Sequence, residues 1–282
     1  MTSPFPRRVA RVRPLNPASP DEHFFVANDA TDFGSDKGKS WTVIDSPFPS
    51  SRANAASLGR AGWERGSTVT EDAFTFLAPS VPVNVLGMAH NTGQPGRELP
   101  PQAFHKAASS VVGPGEAIEL QANVGHVDPE AELTIVIGQA SRALTLETAA
   151  SAILGYTIAN DVSARDLQKT DELWISAKSQ DTFTPAGPWI VTQLDPTDLK
   201  IGIVHNGREL ESAGSADLGW KVDEILVYLT SFMTLQPGDL VLTGFPAGTA
   251  RIQPGDTVTC RVEGIGELTN PVRGASWEEL PA

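Results

Sequence analysis

Residues 124–138 read VGHVDPEAELTIVIG, residues 155–168 read GYTIANDVSARDLQ, and residues 177–188 read AKSQDTFTPAGP. The β-branched run Glu132–Gly138 predicts a strand, and YTIAND predicts another. In an extended segment Glu130 and Glu132, two apart, project to one face. Two like charges side by side are unfavourable unless a cation sits between them. Asp161 ends the second apolar run, where a strand leaves its last side chain at a rim. Three carboxylates make an oxygen-only shell, which suits Mg²⁺, Mn²⁺ or Ca²⁺ and not zinc. A helical turn after Asp161 would set Arg165 and Gln168 on the same side as that acid. Lys178 opens a polar stretch too irregular for core. Cations beside a metal site point to an anionic ligand bridging the two.

Outward from this stretch the chain reads as mixed α+β, mainly β. VARVRPL and SWTVID predict strands in a small N-terminal unit of residues 1–79, with a loop over Asn28–Lys39. A second unit, residues 80–282, opens with the strand-like VPVNVLGM. Residues 89–101, AHNTGQPGRELPP, read as a long loop placed where a lid could lie. Thr145–Leu154 predicts a helix closed by Gly155. PWIVT and KIGIVH predict strands, the second turning at Asn206-Gly207. Asp223 is placed to cap a helix whose Ile225, Leu226, Leu229, Phe232 and Met233 share one face. Gln-Pro-Gly-Asp occurs at Gln236 and again at Gln253, each time before a strand-like run, and reads as a type II turn.

Composition narrows the partners. With 21 Lys and Arg against 34 Asp and Glu, the net charge of −13 argues against nucleic acid and anionic membranes. Arg7, Arg8, Arg11 and Arg13 read as a solvated start. No run predicts a signal peptide or a bilayer span. Cys260 stands alone between Val258 and Val262, a buried strand residue in a chain expected in a reducing cytoplasm.

Taken in series, DPEAELTIVIG, GYTIANDVSARDLQ, AKSQDTFTPAGPWIVT and QPGDLVLTGFPAG resemble the fumarylacetoacetate hydrolase family, over Val81 to Val272. The resemblance implies a roll- or sandwich-like β domain, assembled as a homodimer. It implies Mg²⁺ or Mn²⁺ held by Glu130, Glu132 and Asp161, and substrate contacts from Arg165, Gln168, Lys178 and Thr243. It implies a 2-oxo acid or β-dicarbonyl substrate, split by C–C hydrolysis through a metal-stabilised enolate that Lys178 helps to hold. Decarboxylation of an oxaloacetate-type acid and enol–keto isomerisation are the alternatives, and a non-catalytic oxo-acid binder is the alternative of another class. Two departures bear on the choice. Gly93 stands where many members carry a water-activating His, and the Glu expected one turn later falls near Gly96. His90 or His105 is left as the general base, while His126 could support the site from behind. Phe245 replaces a threonine that many members turn toward substrate.

Overall fold

The computed structural model describes residues 8–29, 39–48, 51, 54–56 and 63–275; Arg7 and positions 30–38 of the expected Asn28–Lys39 loop lie outside them. The protein is mainly β, as its composition predicts. A twelve-stranded sheet runs, in order, Thr68–Thr70, Ser40–Ile44, Phe24–Asn28, Arg8–Pro14, Thr184–Val191, Ile153–Asn160, Ala131–Ile137, Leu240–Leu242, Val85–Ala89 and Gln102–Lys106, with two short strands off this path. A six-stranded sheet is built on Lys200–His205, Thr257–Val262, Gly266–Gly274 and Ile118–Leu120.

The core lies between the two sheets. Leu133, Ile135, Ile137 and Ile158 of the large sheet meet Ile201, Ile203, Val258, Cys260, Val262 and Leu268 of the small one. The helix Val222–Phe232 adds Ile225, Leu226 and Leu229, all fully buried, while Phe232 stays half-exposed. On the other face of Ala131–Ile137, Val136 packs with Val9, Phe25, Phe48 and Ile190. A strand covered on both faces can be apolar throughout, which is why ELTIVI lacks clean alternation. Alternation places Cys260 inward between Val258 and Val262, and burial holds its thiol well above the usual range.

Strand Arg8–Pro14 pairs with Thr184–Val191 through Arg8↔Val191 and Val9↔Ile190, so the N-terminal strands prolong the main sheet. Arg8 is not solvated as its composition suggests. It is 1% exposed, bonds Asn28 at 3.0 Å, and lies 5.4 and 5.2 Å from the ring centroids of Trp41 and Trp189. The aromatic faces and the amide take the place of water around the guanidinium.

Three further expectations are corrected. Thr145–Leu154 is not a helix: only a 3₁₀ turn forms at Ala149–Ala152, and Ile153 already begins a strand. Gly155 serves strand pairing, not capping, since a Cβ there would stand 2.4 Å from the Val191 carbonyl oxygen. The 89–101 stretch is not all loop, for Gly93–Glu98 is a six-residue helix, and the strand Gln102–Lys106 follows directly after the stretch. Gly96 lets that helix fold back tightly, its missing Cβ lying 2.4 Å from the His90 carbonyl. The long helix is capped by Glu224, whose carboxylate accepts the Lys221 N–H at 3.0 Å, rather than by Asp223. The turn readings hold: Asn206 and Gly207 have φ of 51° and 77°, and Gly238 and Gly255 have 90° and 100°.

Candidate active site

Two short strands bring the quoted motifs together. Val127–Asp128 pairs with Ser163–Ala164, and Ala131 stands opposite Asn160 in the main sheet. The Asp161 N–H donates to the Glu130 carbonyl at 2.8 Å, and the Ser163 hydroxyl to Glu130 Oε2 at 3.0 Å. Glu130, Glu132 and Asp161 thus each turn an oxygen to one point, the three lying within 4.8 Å of one another.

The cations interleave with these acids. Lys178, at the end of the short helix Ile175–Lys178, donates to Glu130 Oε2 at 3.0 Å and to Asp161 Oδ2. Arg165 directs Nη2 to Glu130 Oε1 at 2.8 Å, Nε to Asp128 Oδ2 at 2.9 Å and Nη1 to Gln168 Oε1 at 3.0 Å. His126 Nε2 lies 2.6 Å from the other Asp128 oxygen, so it backs the site as expected, through Asp128 and Arg165.

Lys106 is one of the site residues that sequence reasoning missed. It is fully buried, 2.6 Å from Asp161 Oδ1 and 3.3 Å from the Val162 carbonyl. Asp161 therefore holds one lysine on each oxygen. Nothing around FHK in the sequence marks Lys106, because its partner lies 55 positions away.

Burial and proximity set the protonation of this cluster. For Glu130 burial works against ionisation, but Lys178 and Arg165 outweigh it and hold the carboxyl at about 2. Glu132 is driven the other way, well above the usual range, by burial and by the charges of Asp161 and Glu130. Its Oε2 accepts the Gly244 N–H. Burial lowers Lys178, yet Asp161 and Glu130 carry it above the ordinary lysine value. Lys106 is lowered, chiefly by burial, with Asp161 opposing and Lys178 adding. A hard divalent cation fits this donor set: all three ligand atoms are carboxylate oxygens, and the group driven toward its neutral form is the acid crowded by the other two.

Around the platform is a cavity of about 210 Å³, lined also by Met88, His90, Phe104, Gln168, Trp174 and Phe245. Lys178 Nζ lies 4.7 Å from the Phe104 ring centroid, Phe104 lies 5.6 Å from Trp174, and Trp174 meets His90 edge-on at 5.4 Å. Phe104 can lie there because its cross-strand partner is Gly87, whose Cβ would fall 2.2 Å from the ring. Of the two expected bases, His90 reaches the cavity and His105 does not. Strand alternation turns Phe104 and Lys106 to the site and leaves His105 exposed. Thr243 is fully buried, and its hydroxyl donates to the Leu133 carbonyl at 2.8 Å, so it supports the strand and lies outside the cavity lining.

A model of the fumarylacetoacetate (FAA) hydrolase C-terminal family matches residues 80–273. The chain belongs to the fumarylacetoacetate hydrolase family. Among its relatives, Protein Rv2993c of Mycobacterium tuberculosis is 48% identical over 175 residues, which is 61% of this chain and 66% of that protein. Oxaloacetate tautomerase FAHD2A, mitochondrial, of Bos taurus is 36% identical over 217 residues, 70% of this chain and 69% of that one. The 5-carboxymethyl-2-hydroxymuconate delta-isomerase of Mycobacterium smegmatis superposes with a TM-score of 0.80 at 36% identity, covering 95% of this chain and 100% of its own. Family members are thus isomerases, tautomerases and hydrolases, and an acidic triad able to bind a metal is present here.

Proposed function

We propose that this protein is a divalent-metal-dependent isomerase that interconverts the keto and enol forms of a 2-oxo acid with an acidic group beside the carbonyl. The observation that carries this reading is the cavity's inventory. Among the described residues its lining holds one imidazole, His90, and no carboxylate beyond the three of the platform. Hydrolysis of a C–C bond asks for a water and a base oriented by an acid. The His90 ring contacts Trp174 instead. Tautomerisation needs only that a proton leave the carbon next to the carbonyl and one arrive on the oxygen, and a single base with a neighbouring cation suffices. The FAHD2A oxaloacetate tautomerase and the M. smegmatis delta-isomerase are named for activities of this kind.

A divalent cation held by Glu130, Glu132 and Asp161 would supply Lewis-acid polarisation of the 2-oxo carbonyl. His90 takes the proton from the adjacent carbon, and the enolate oxygen takes one from water to complete the enol. Lys178, two of whose three N–H groups are engaged by Glu130 and Asp161, turns the third to the developing oxyanion and stabilises it where charge appears. Arg165, fastened to Asp128, Glu130 and Gln168, keeps the platform rigid and cationic. The family's homodimer belongs to the same proposal, with sedimentation expected to give twice the chain mass.

The test is loss of enol absorbance from freshly dissolved oxaloacetate with Mg²⁺ or Mn²⁺, alongside product analysis. Accelerated enol loss that Glu132→Ala abolishes, without carbon dioxide or smaller acids, is expected. Carbon dioxide or two acids accumulating in step with substrate loss would make it a decarboxylase or a hydrolase. No acceleration by the metal-loaded protein would end the isomerase reading.

A further inference from the structure

We infer that Trp174 is the specificity-determining residue of this site, limiting it to short 2-oxo acids whose far end is no larger than a carboxymethyl group. The inference rests on the 2-oxo acid reading above and adds what that reading leaves open, the size of the substrate.

Three observations carry it. First, the cavity of about 210 Å³ is smaller than the roughly 300–1,000 Å³ of sites that take drug-sized ligands. Second, the contacts Lys178–Phe104, Phe104–Trp174 and Trp174–His90 form an unbroken row along one wall of the cavity. A substrate anchored on the platform must send its far end along this row, and Trp174 is in its middle. Third, Trp174 is held there. Its φ is 59°, as left-handed as the 55° of His90 facing it, an uncommon conformation for a residue with a Cβ. Asp171 fixes the turn, its carboxylate accepting the N–H groups of Leu173 at 3.1 Å and Ser176 at 2.7 Å, while its carbonyl accepts that of Trp174 at 3.0 Å. The Trp174 carbonyl in turn accepts the Lys178 N–H at 2.9 Å, so the backbone that carries the indole is tied to the backbone of the platform lysine. A wall whose backbone is fixed, and whose ring is flanked by Phe104 and His90, selects by size.

The decisive experiment is calorimetric binding of oxalate and of phenylpyruvate to the Mn²⁺-loaded full chain. Wild type should bind phenylpyruvate at least about tenfold more weakly than oxalate, and Trp174→Ala should narrow that ratio about tenfold, almost wholly through phenylpyruvate. Trp174→Phe should fall between. It also decides the matter if the alanine variant does not fold, since a ratio equal to wild type would overturn the inference. So would a wild type that binds both acids equally, one that binds neither, or an alanine variant that weakens both alike. Size discrimination without any tautomerisation would leave Trp174 in this role and remove the isomerase reading alone.

Discussion

Asp161 is the residue on which the site turns. It carries two lysines that share almost no exposure with solvent, and each occupies one of its oxygens. Breaking a buried ion pair by removing one partner commonly costs 3–5 kcal/mol, because the other charge is left unpaired. Lys106→Met should therefore destabilise the fold by about 3 kcal/mol in urea unfolding, the low end, since Lys178 still touches Asp161. Saturating Mg²⁺ should narrow that deficit, which an unfolding series with and without the ion would measure. A deficit under about 0.5 kcal/mol would mean that the pair contributes nothing net.

Asp256, at the end of the second Gln-Pro-Gly-Asp turn, ties two hairpins. Its carboxylate accepts the Gln253 N–H at 2.9 Å and the Asn206 amide at 2.7 Å, with His205 Nε2 at 2.8 Å. Burial opposes its ionisation, but the bonds from Asn206, His205 and Gln253 outweigh burial and hold its pKa below the usual value. A depressed folded-state pKa adds stability above the unfolded carboxylate value, and that stability fades as pH falls through the folded value. Asp256→Asn should cost about 1–2 kcal/mol at pH 7, and the gap to wild type should shrink in acid. A gap that widened on acidification would reverse this assignment. The same scale explains the misread at 145–154. Local periodicity there favours a helix, yet Gly155 is needed where the Ile153–Asn160 strand passes the Val191 carbonyl. Gly155→Ala should destabilise the fold by roughly 1–3 kcal/mol through overpacking, read as a lowered melting temperature.

Over the whole molecule, the strands before residue 80 are part of the main sheet. A chain beginning at residue 80 would leave Thr184–Val191 without its Arg8–Pro14 neighbour and Trp189 without Arg8. It should melt well below the full chain and aggregate, by scattering, at concentrations where the full chain does not. The platform was legible in the sequence because its acids sit two apart or beside paired strands, where local rules hold. Phe104, Lys106 and Trp174 were not, since each matters through a partner brought near only by sheet order or a tight turn. Arg8 was misread for the same reason: composition counts its charge but not the two indoles that cover it. Of the histidines, only strand parity separates exposed His105 from its inward neighbours, and the short Gln102–Lys106 strand has no local pattern that marks it in the sequence.

The sheet places the two halves of the site on unequal footing. Glu132 belongs to Ala131–Ile137, an interior strand with a ladder on each side, whereas Phe104 and Lys106 belong to Gln102–Lys106, the last strand of the series, with Val85–Ala89 as its one neighbour there. Exchange of Phe104 on that border disturbs one seam, while a change beside Glu132 propagates into two. Reshaping the aromatic wall at Phe104 therefore asks less of the sheet than replacing a carboxylate of the platform.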